Sequence, residues 1–538
     1  MIFLLLLLPA ALTGGLLALA GDPPNGLRLF ALSLPGIFLV AAAARHRGRL
    51  PVLAAWLWWL VFSATSAVCA ASWILFDSSI DAYFIIQALA DTTLQESIEF
   101  IRFHALELAF CAAALIGLVS AYLFAALKIL RKRAPDARVW QVFGKGWAGK
   151  TALAAVLLLG TAGYALKPNR AKFPPVFWYG YHAKIQNFRN SMAEHGSWHN
   201  QWAASARQKG ILPPTGRQTH VLVVSESLTS FNTGICGYPR RTTPKLQARL
   251  GSLTVFCDAY SAYPSTISAM KAMLTDVPAG SPDAVPHESL LADAKQAGYK
   301  VFWISNQDDA YIASLFGSFA DVSVFNNKRS GRSSFSKDEE LLPYYRSALQ
   351  DPAERKLIIL HLIGSHPNYS ARYPQAYARF PDSGHPDAEA QVAAELQRHG
   401  IGSWVRNLRN EYDNSVLYQD HIAATLLEML QQAPEAGNRS FTFLPDHGNE
   451  VGHQTDYAGH SPATEAGYKI PVILWYDGIR PQGAVRGKPI DATQLDQEML
   501  LRIAPQTARP AGFTGWESQD YRFVKPANWP YWQHSRTN

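Results

Sequence analysis

Hydrophobic residues are distributed unevenly along this chain, and their pattern changes near residue 168. Before that point lie five long apolar runs with almost no charged residues, which cover residues 2–20, 29–44, 51–75, 105–127 and 151–167. Each run approaches or exceeds the roughly 20 residues that a helix needs to cross a bilayer. The pattern therefore predicts a transmembrane domain of five helices over residues 1–168, and the first helix is expected to be a signal anchor.

Basic residues occur in alternate loops between these predicted helices. Arg45, Arg47 and Arg49 lie between the second and third helices, and seven Lys or Arg residues lie within residues 128–150. The positive-inside rule assigns such loops to the cytoplasm. We therefore expect a cytoplasmic amino terminus and an external location for everything after about residue 168.

From about residue 215 onward, short apolar runs alternate with segments of helical periodicity. Five runs are predicted to be buried strands, namely "THVLVVSES", "YKVFWISNQ", "KLIILHLIGSH", "SFTFLPDHG" and "IPVILWYD". Helical spacing recurs near residues 263–275, 287–297, 338–350 and 410–432. This alternation predicts an α/β domain with a largely parallel sheet over residues 215–538.

Residues 169–214 connect these two predicted parts and are rich in Trp, Tyr and Phe interspersed with basic residues. Aromatic rings of this kind suit the headgroup layer of a membrane. We therefore interpret the segment as interfacial linker helices, with a linker helix packed on the external domain as the alternative.

Charge and cysteine content restrict the possible partners and indicate a possible disulfide. The formal net charge is +7, but much of this excess lies in the predicted cytoplasmic loops, and a nucleic-acid partner is disfavoured. Of the four cysteines, Cys69 and Cys111 fall within predicted membrane helices, whereas Cys236 and Cys257 lie in the external part. These last two could form a disulfide in an oxidising compartment, with free buried thiols as the alternative.

Polar side chains follow several of the predicted strands. Glu226 follows the first strand, His366 ends "LIGSH", Asp446 and His447 follow a later strand, and His460 lies in the next loop. Because ligand sites in α/β sheets lie beyond the carboxyl ends of the strands, we expect these side chains to converge. Carboxylate oxygens with imidazole nitrogens suit zinc or manganese, and a set without thiolates indicates a catalytic site. Each residue alone could be structural, so the prediction depends on their convergence.

Several longer motifs occur in a combination typical of one family. "SES" is followed by "GYPRRTTPKL", and "LHLIGSHPNYSARYP", "YDNSVLYQD" and "DHGNEVG" come later in the chain. Together they resemble the motifs of the membrane-anchored phosphoethanolamine transferases of the alkaline phosphatase and sulfatase superfamily. The resemblance extends over nearly the whole chain, because these enzymes also have five amino-terminal membrane helices followed by an external catalytic domain.

The resemblance implies a zinc site with a threonine nucleophile. The family places this threonine at the start of the helix after the second strand, and "AYPSTISAMKAMLT" aligns Thr266 there, with Ser265 as the neighbouring alternative. Glu226, Thr266, Asp446 and His447 are then expected to hold zinc rather than manganese. A bound cation lowers the pKa of a hydroxyl and screens the anionic phosphate from it.

The resemblance also implies residues that contact the substrates. His366 and His460 are expected to bind phosphoryl oxygens, to protonate the leaving diacylglycerol oxygen, or to bind a second metal. Arg240 is expected to bind substrate, with a surface salt bridge as the alternative. "ADTTLQESIEF" resembles the family's periplasmic segment near the lipid substrate, which implies contacts from Thr93 and Glu96.

The activity implied is transfer of phosphoethanolamine from phosphatidylethanolamine to an envelope glycolipid through a phosphothreonine. Lipopolysaccharide, at lipid A or core, is the first expected acceptor. The protein is expected to be a multi-pass protein of a bacterial inner membrane, with its catalytic domain in the periplasm. Two departures bear on this expectation: the Cys-Gly and Pro-Cys pairs of some members are absent around Thr266, and Asn449 replaces a Glu found in many relatives.

Three alternative functions were weighed against this expectation. A glycerophosphate transferase of the lipoteichoic acid synthase type shares the five-helix plan and the threonine. A non-catalytic membrane lipid sensor with this fold is another alternative. A sulfatase is disfavoured, because residues 263–275 contain neither Cys-x-Pro-x-Arg nor Ser-x-Pro-x-Arg.

The alternating basic loops generate a prediction about topology. A periplasm-active reporter fused after residue 170 should be active, and the same reporter fused near residue 135 should be inactive, because basic loops stay in the cytoplasm. Enzymatic assay of both fusions in cells measures this. The opposite pattern of activity would contradict the external location of residues 215–538.

Overall fold

The computed structural model divides the chain into two units, one made of Met1–Ala90 and Glu96–Phe188 and the other of Asp91–Gln95 and Arg189–Asn538. It describes residues 2–46, 48–76, 78–91, 97–98, 101, 105–133, 147, 151, 154–155, 158–160, 164–166, 170–307, 309–326, 336–433, 437–507 and 513–523. Each unit has its own hydrophobic core.

The amino-terminal part is helical. Its helices are α1 (Ile2–Leu19), α2 (Pro23–Ser33), α3 (Gly36–Arg45), α4 (Arg49–Phe76), α5 (Tyr83–Asp91), α6 (Ala105–Arg133) and α7 (Pro174–Ser191). Within the described residues, three stretches are long and apolar enough to cross a membrane, namely Pro23–Arg45, Arg49–Ile74 and Leu108–Lys132, and Leu4–Leu19 is a shorter apolar helix. About half of the predicted fifth run, at 151–167, lies outside the described residues. The apolar helical region is thus present, and the count of five stays a prediction.

Close packing between helices stabilises this unit. Leu6 of α1, Ile37 of α3, Trp59 of α4 and Leu123 of α6 belong to one buried cluster. Gly26 of α2 lies so close to α1 that an added Cβ would come within 2.5 Å of the Gly14 carbonyl oxygen. Small residues of this kind allow helix backbones to approach one another in membrane proteins.

The carboxyl-terminal unit is an α/β domain. Its strands are β1 (Gln218–Ser225), β2 (Thr254–Tyr260), β3 (Lys300–Ser305), β4 (Val322–Phe325), β5 (Arg355–His361), β6 (Asn438–Pro445), β7 (Glu450–Val451), β8 (Ala458–Gly459), β9 (Lys469–Tyr476), β10 (Gly483–Val485) and β11 (Ile490–Asp491). Its helices are α8 (His195–Gln208), α9 (Pro244–Ala248), α10 (Thr266–Leu274), α11 (Leu290–Gln296), α12 (Ala310–Ile312), α13 (Leu342–Leu349), α14 (Pro386–Arg398), α15 (Ser403–Gln431) and α16 (Leu495–Ile503). All five predicted strands and all four predicted helices are present.

Nine strands form one mixed sheet in the order β10-β2-β9-β6-β1-β5-β3-β4, with β11 also paired to β2. Strand β9 runs antiparallel to both of its neighbours, β2 and β6. The remaining pairs, including those of β1 with β5 and β6, are parallel. Strands β1 and β5 are almost entirely buried, as expected for strands covered on both faces.

The register of the central strands aligns their carboxyl ends. Ser225 of β1 lies opposite Pro445 of β6, and Val224 lies opposite His361 of β5. His361 in turn pairs with Ser305 at the end of β3. Because these strands are parallel, the residues that follow them emerge at a single edge of the sheet.

A disulfide joins Cys236, in a turn after β1, to Cys257 of β2, with the two Cα atoms 5.5 Å apart. The sequence had left this pairing open. Both cysteines contact the buried core of the domain, Cys257 as one of its members. The bond therefore ties the loop that follows β1 to the strand that precedes α10.

A glycine allows two strand ends at this edge to approach each other. Gly364 follows β5 with a φ of +52°, and a Cβ placed there would lie 2.6 Å from the Glu226 carbonyl oxygen and 2.7 Å from the Glu226 nitrogen. Ser365 donates its backbone N–H to the same carbonyl at 3.0 Å. Only a residue without a side chain fits this position.

This close approach predicts that Gly364→Ala destabilises the protein by two effects. The left-handed backbone costs roughly 1–2 kcal/mol for a residue with a Cβ, and the overpacking adds roughly 1–3 kcal/mol. Gly384→Ala is a matched control, because Gly384 has a φ of +76° with nothing within 4 Å of an added Cβ. Denaturant unfolding followed by tryptophan fluorescence compares the two variants, and equal losses would contradict the role assigned to close packing.

Candidate metal centre

Glu226 lies at the centre of the site, directly after β1, and is fully buried. Its two carboxylate oxygens have different partners. Oε1 accepts a hydrogen bond from the Ser227 hydroxyl at 2.7 Å and lies 3.3 Å from His447 Nε2. Oε2 accepts from the Thr266 hydroxyl at 3.0 Å and from the Gln307 amide at 3.2 Å. One carboxylate therefore contacts groups that follow several strands.

Asp446 and His447 approach Glu226 from the end of β6. Backbone N–H groups of Ser227 and His447 donate to Asp446 Oδ1 at 3.1 and 2.7 Å, so this oxygen is fixed in place. Asp446 Oδ2 lies 3.4 Å from His447 Nε2. Neither Oδ2 nor Nε2 has a hydrogen-bond partner, although both atoms are buried. Buried polar atoms without hydrogen-bond partners are rare, so this pair of atoms fits coordination of a cation.

The orientation of the His447 ring explains why a cation fits here. Nδ1 lies 2.8 Å from the Gly448 carbonyl oxygen, which can only accept, so Nδ1 carries the proton. In the neutral imidazole, Nε2 then directs its lone pair towards the two carboxylates. The Nε2 lone pair and the two carboxylates repel one another, and a metal ion between them would be coordinated by all three. The Gly448 carbonyl holds the tautomer of His447 that this coordination requires.

The pKa values of Asp446 and His447 reflect the burial and the close approach of these charged groups. Burial and the nearby charge of Glu226 raise the pKa of Asp446 to about 8. Burial lowers the pKa of His447, but Asp446 and Glu226 outweigh this effect and raise it to about 9. The site thus favours one extra positive charge, which a proton or a metal ion can supply.

Ligand atoms of Glu226, Asp446 and His447 all lie within 4.8 Å of one another. Two carboxylates and one imidazole form a three-residue ligand set without thiolates, which suits zinc with one position left open. The predicted residues Glu226, Asp446 and His447 are therefore brought together, and their chemistry fits the metal.

Thr266 is the first residue of α10, and its hydroxyl is aimed at Glu226. Ser265, the alternative nucleophile, precedes the helix with a φ of −153°, and its buried hydroxyl has no hydrogen-bond partner. The amino end of a helix stabilises negative charge beside it. The structure thus separates the two hydroxyls, and only that of Thr266 contacts a candidate ligand.

His366 and His460 form a second group around the same carboxylate. Ligand atoms of Glu226, His366 and His460 lie within 4.8 Å of one another, and both imidazoles are half-buried. The ring of His460 lies 4.5 Å from that of His447, measured between centroids, and 5.9 Å from that of His366. These two imidazoles therefore lie at the more accessible side of the site.

Arg240 lies in a different environment from the one expected. Its guanidinium is buried and donates to Asp413 at 2.6 Å, to Glu389 at 2.5 Å and to Asn410 at 2.8 Å. Asp413 also accepts from Tyr238 and Asn232. The structure thus places Arg240 in an internal ion-pair network rather than among the candidate ligands, and this network differs from the surface salt bridge considered as the alternative.

Three further residues of interest complete the comparison with the sequence. Thr93 and Glu96, expected to contact the lipid, lie outside the described residues. Asn449 is fully buried, and its amide donates to the Tyr369 hydroxyl at 3.1 Å, so it does not contact the ligand set in the described contacts.

Gln307 and Tyr412 contribute to the site without having been predicted. Gln307 follows β3 and donates to Glu226 and to the Leu362 carbonyl, and Tyr412 of α15 donates to the Ser227 carbonyl at 2.7 Å. Gln307 could have been found, because it is a polar residue at the end of a predicted strand. Tyr412 opens the motif "YDNSVLYQD", but a tyrosine in a long helix is typical of a core residue, so its contact with the Ser227 carbonyl was not predicted.

Comparisons with known proteins agree with this architecture. A family model described as Sulfatase matches residues 218–500. The phosphoethanolamine transferase EptC of Escherichia coli is 33% identical over 270 residues, which cover 48% of this chain and 45% of EptC. The phosphoethanolamine transferase EptA of Helicobacter pylori is 28% identical over 262 residues, 47% of each protein. The matched region thus spans about half the length of these curated relatives.

One solved structure matches almost the full length. The integral membrane protein lipooligosaccharide phosphoethanolamine transferase A from Neisseria meningitidis aligns with a TM-score of 0.53 at 18% identity, over 94% of this chain and 99% of that protein. At this identity the likeness shows a shared fold, an apolar helical region followed by an α/β domain.

The ligand geometry predicts the effect of removing single donors. Asp446→Asn and His447→Gln should each lower zinc affinity at least about tenfold, since even outer partners of metal ligands contribute 10- to 100-fold. Zinc content of the purified full-length variants, dialysed against buffered zinc, measures this effect.

Asp420→Asn provides the matched control for these variants. Asp420 is also a buried carboxylate, but it accepts hydrogen bonds from the backbone of Lys245 and Leu246 at the start of α9. The Asp420→Asn variant should retain wild-type zinc content. Equal zinc content in all three variants would contradict the metal centre.

Proposed function

This chain belongs to the sulfatase family, and on that basis we propose that it is a zinc-dependent transferase of phosphoethanolamine. The donor is phosphatidylethanolamine and the acceptor is an envelope glycolipid, with lipopolysaccharide lipid A or core as the first candidate. The observation that carries the proposal is the 3.0 Å hydrogen bond from Thr266, at the start of a helix, to a carboxylate that belongs to a zinc-type ligand set.

The substrate class rests on the relatives and on the membrane unit. EptC and EptA are named as phosphoethanolamine transferases, and this chain is 33% and 28% identical to them over the matched regions. The apolar helices keep the catalytic domain at a membrane, where a phospholipid donor and a glycolipid acceptor are both available. The full proposal is a multi-pass protein of a bacterial inner membrane with five helices in residues 1–168, linker helices in 169–214 and a periplasmic catalytic domain in 215–538.

The reaction follows a two-step course in which Thr266 carries the phosphoethanolamine group. In the first step the Thr266 oxygen forms a bond to phosphorus, and the bond between phosphorus and the diacylglycerol oxygen breaks. In the second step an acceptor hydroxyl forms its bond to phosphorus, and the Thr266 oxygen leaves. The proton lost by the attacking hydroxyl in each step balances the proton gained by the leaving oxygen.

Glu226, Asp446, His447 and Thr266 would hold the zinc. When bound, zinc lowers the pKa of the hydroxyl and neutralises charge on the phosphate. Glu226 orients the Thr266 hydroxyl, and the amino end of α10 favours the negative phosphoryl group beside it.

His366 and His460 are proposed to donate to phosphoryl oxygens and to deliver a proton to the leaving diacylglycerol oxygen. A bound second metal is the alternative use of the same pair with Glu226. Thr93 and Glu96 are proposed to contact the lipid, and Arg240 is proposed to act on substrate only indirectly, through the network with Asp413.

The contact of Thr266 predicts where the intermediate forms. Incubation of the wild-type protein with a phosphatidylethanolamine analogue, without acceptor, should add the mass of phosphoethanolamine to the peptide that contains Thr266. Thr266→Ala should abolish both the adduct and transfer, because water can hydrolyse but cannot carry the group. Peptide mass spectrometry measures the adduct.

Ser265→Ala serves as the matched control, since it removes the neighbouring hydroxyl that makes no contact with Glu226. This variant should still be labelled. An adduct that persists in Thr266→Ala and disappears in Ser265→Ala would assign the nucleophile to Ser265. Transfer without any adduct would contradict the two-step course.

A further inference from the structure

Ser227 has an unusual backbone conformation for a residue with a side chain. Its φ is +58°, and among the described residues only Ser227 and Asn368 have a positive φ without being glycine. Such conformations cost roughly 1–3 kcal/mol and persist where the surroundings enforce them. A glycine would adopt this conformation without the cost. The presence of a serine therefore raises the question of what its hydroxyl does.

The Ser227 hydroxyl lies between two residues of the candidate site. It donates to Glu226 Oε1 at 2.7 Å, since a carboxylate can only accept. Its oxygen is also 3.3 Å from His460 Nε2. Because the single hydroxyl hydrogen is directed at Glu226, the oxygen accepts from His460. Ser227 thus links the carboxylate to one of the two accessible imidazoles.

The backbone of Ser227 explains why the strained conformation is needed. Its N–H donates to Asp446 Oδ1 at 3.1 Å, and its carbonyl accepts from the Tyr412 hydroxyl at 2.7 Å. Tyr412 also accepts from the Thr229 N–H at 2.9 Å, which fixes the turn on both sides. With φ near +58° the N–H and the hydroxyl both face the ligand set. A single residue therefore contacts Glu226, Asp446 and His460.

We propose that the Ser227 hydroxyl is a positioning group that fixes the Glu226 carboxylate relative to the His460 imidazole, and that it sets metal affinity and turnover in this way. The proposal rests on the proposed function, since it concerns the same site. The two oxygens of Glu226 are divided between partners: Ser227 holds Oε1 on the His447 side, and Thr266 and Gln307 contact Oε2. Without the Ser227 hydroxyl, the Glu226 carboxylate can rotate, and Oε1 is no longer held beside His447.

Ser227→Gly is the most informative variant, because it removes the hydroxyl, relieves the backbone strain and keeps the N–H to Asp446. Cobalt(II) titration of the full-length protein, followed by visible absorption, measures metal affinity and ligand field without substrate. We expect affinity to fall roughly 10- to 100-fold and the cobalt spectrum to change. With substrate, kcat should fall by about tenfold while KM changes by less than about twofold, because the group acts on positioning rather than on lipid binding.

Ser227→Ala and Ser440→Ala complete the set. Ser227→Ala should lose affinity as Ser227→Gly does, since both lack the hydroxyl. Ser440 of strand β6 is a matched control, because its buried hydroxyl lies 2.7 Å from Nδ1 of the buried His220 in β1. Ser440→Ala should leave cobalt affinity at the wild-type value. Loss of affinity only in the glycine variant would assign the effect to backbone flexibility and overturn the proposal.

The remaining outcomes separate this inference from the proposed function. In one outcome the wild-type protein binds metal and transfers phosphoethanolamine, and both Ser227 variants keep wild-type cobalt affinity. This result would overturn only the role of the hydroxyl and would leave the proposed function intact. A wild-type protein that binds no cobalt would overturn the zinc-dependent function and this inference with it.

Discussion

Two buried carboxylates and a buried imidazole, held within 4.8 Å of one another, are the constraint on which the rest of the α/β domain depends. Such a group is unfavourable unless a positive charge lies within it, because burial and mutual repulsion both disfavour the ionised carboxylates. The raised pKa of both Asp446 and His447 reflects this demand. The surrounding protein accordingly supplies hydrogen bonds that hold each ligand in place, and in Asp446 and His447 these bonds leave Oδ2 and Nε2 without a hydrogen-bond partner.

The parallel register of the sheet makes this convergence possible. Strands β1 and β6 end level with each other, so Glu226 and Asp446 emerge side by side. The long helix α15 then secures the loop after β1, since the Tyr412 hydroxyl bridges the Ser227 carbonyl and the Thr229 N–H. Gln419 of the same helix donates to the Ser365 hydroxyl at 2.5 Å, which holds the turn after β5. Helix α15 therefore fixes the loops that carry the candidate site residues.

Much of this architecture could be predicted from local patterns. Strands such as "KLIILH" are buried on both faces and read as continuous apolar runs, and the residues at their ends could be assigned to one edge. Strand β2 was not among the predicted strands, because Asp258 interrupts the apolar run of "TVFCDAY". The reversal of β9 was also not predicted, since an apolar run has no direction.

Contacts set by tertiary packing could not be predicted in the same way. Nothing local indicates that Arg240 pairs with Asp413, which lies 173 residues later in the chain. The left-handed turn at Ser227 was equally hidden, because serine gives no signal for a positive φ. The motif resemblance supplied Thr266, whose contact with Glu226 depends on the packing of β2 and α10.

The central claim is that a divalent metal ion lies between Glu226, Asp446 and His447. The most direct measurement is an anomalous difference map, collected at the zinc absorption edge from crystals of the full-length protein grown with zinc. A strong peak is expected at roughly 2.0–2.2 Å from carboxylate oxygens of Glu226 and Asp446 and from His447 Nε2. A map without a peak there, with His447 Nε2 in hydrogen-bond contact with Asp446 instead, would contradict the central claim.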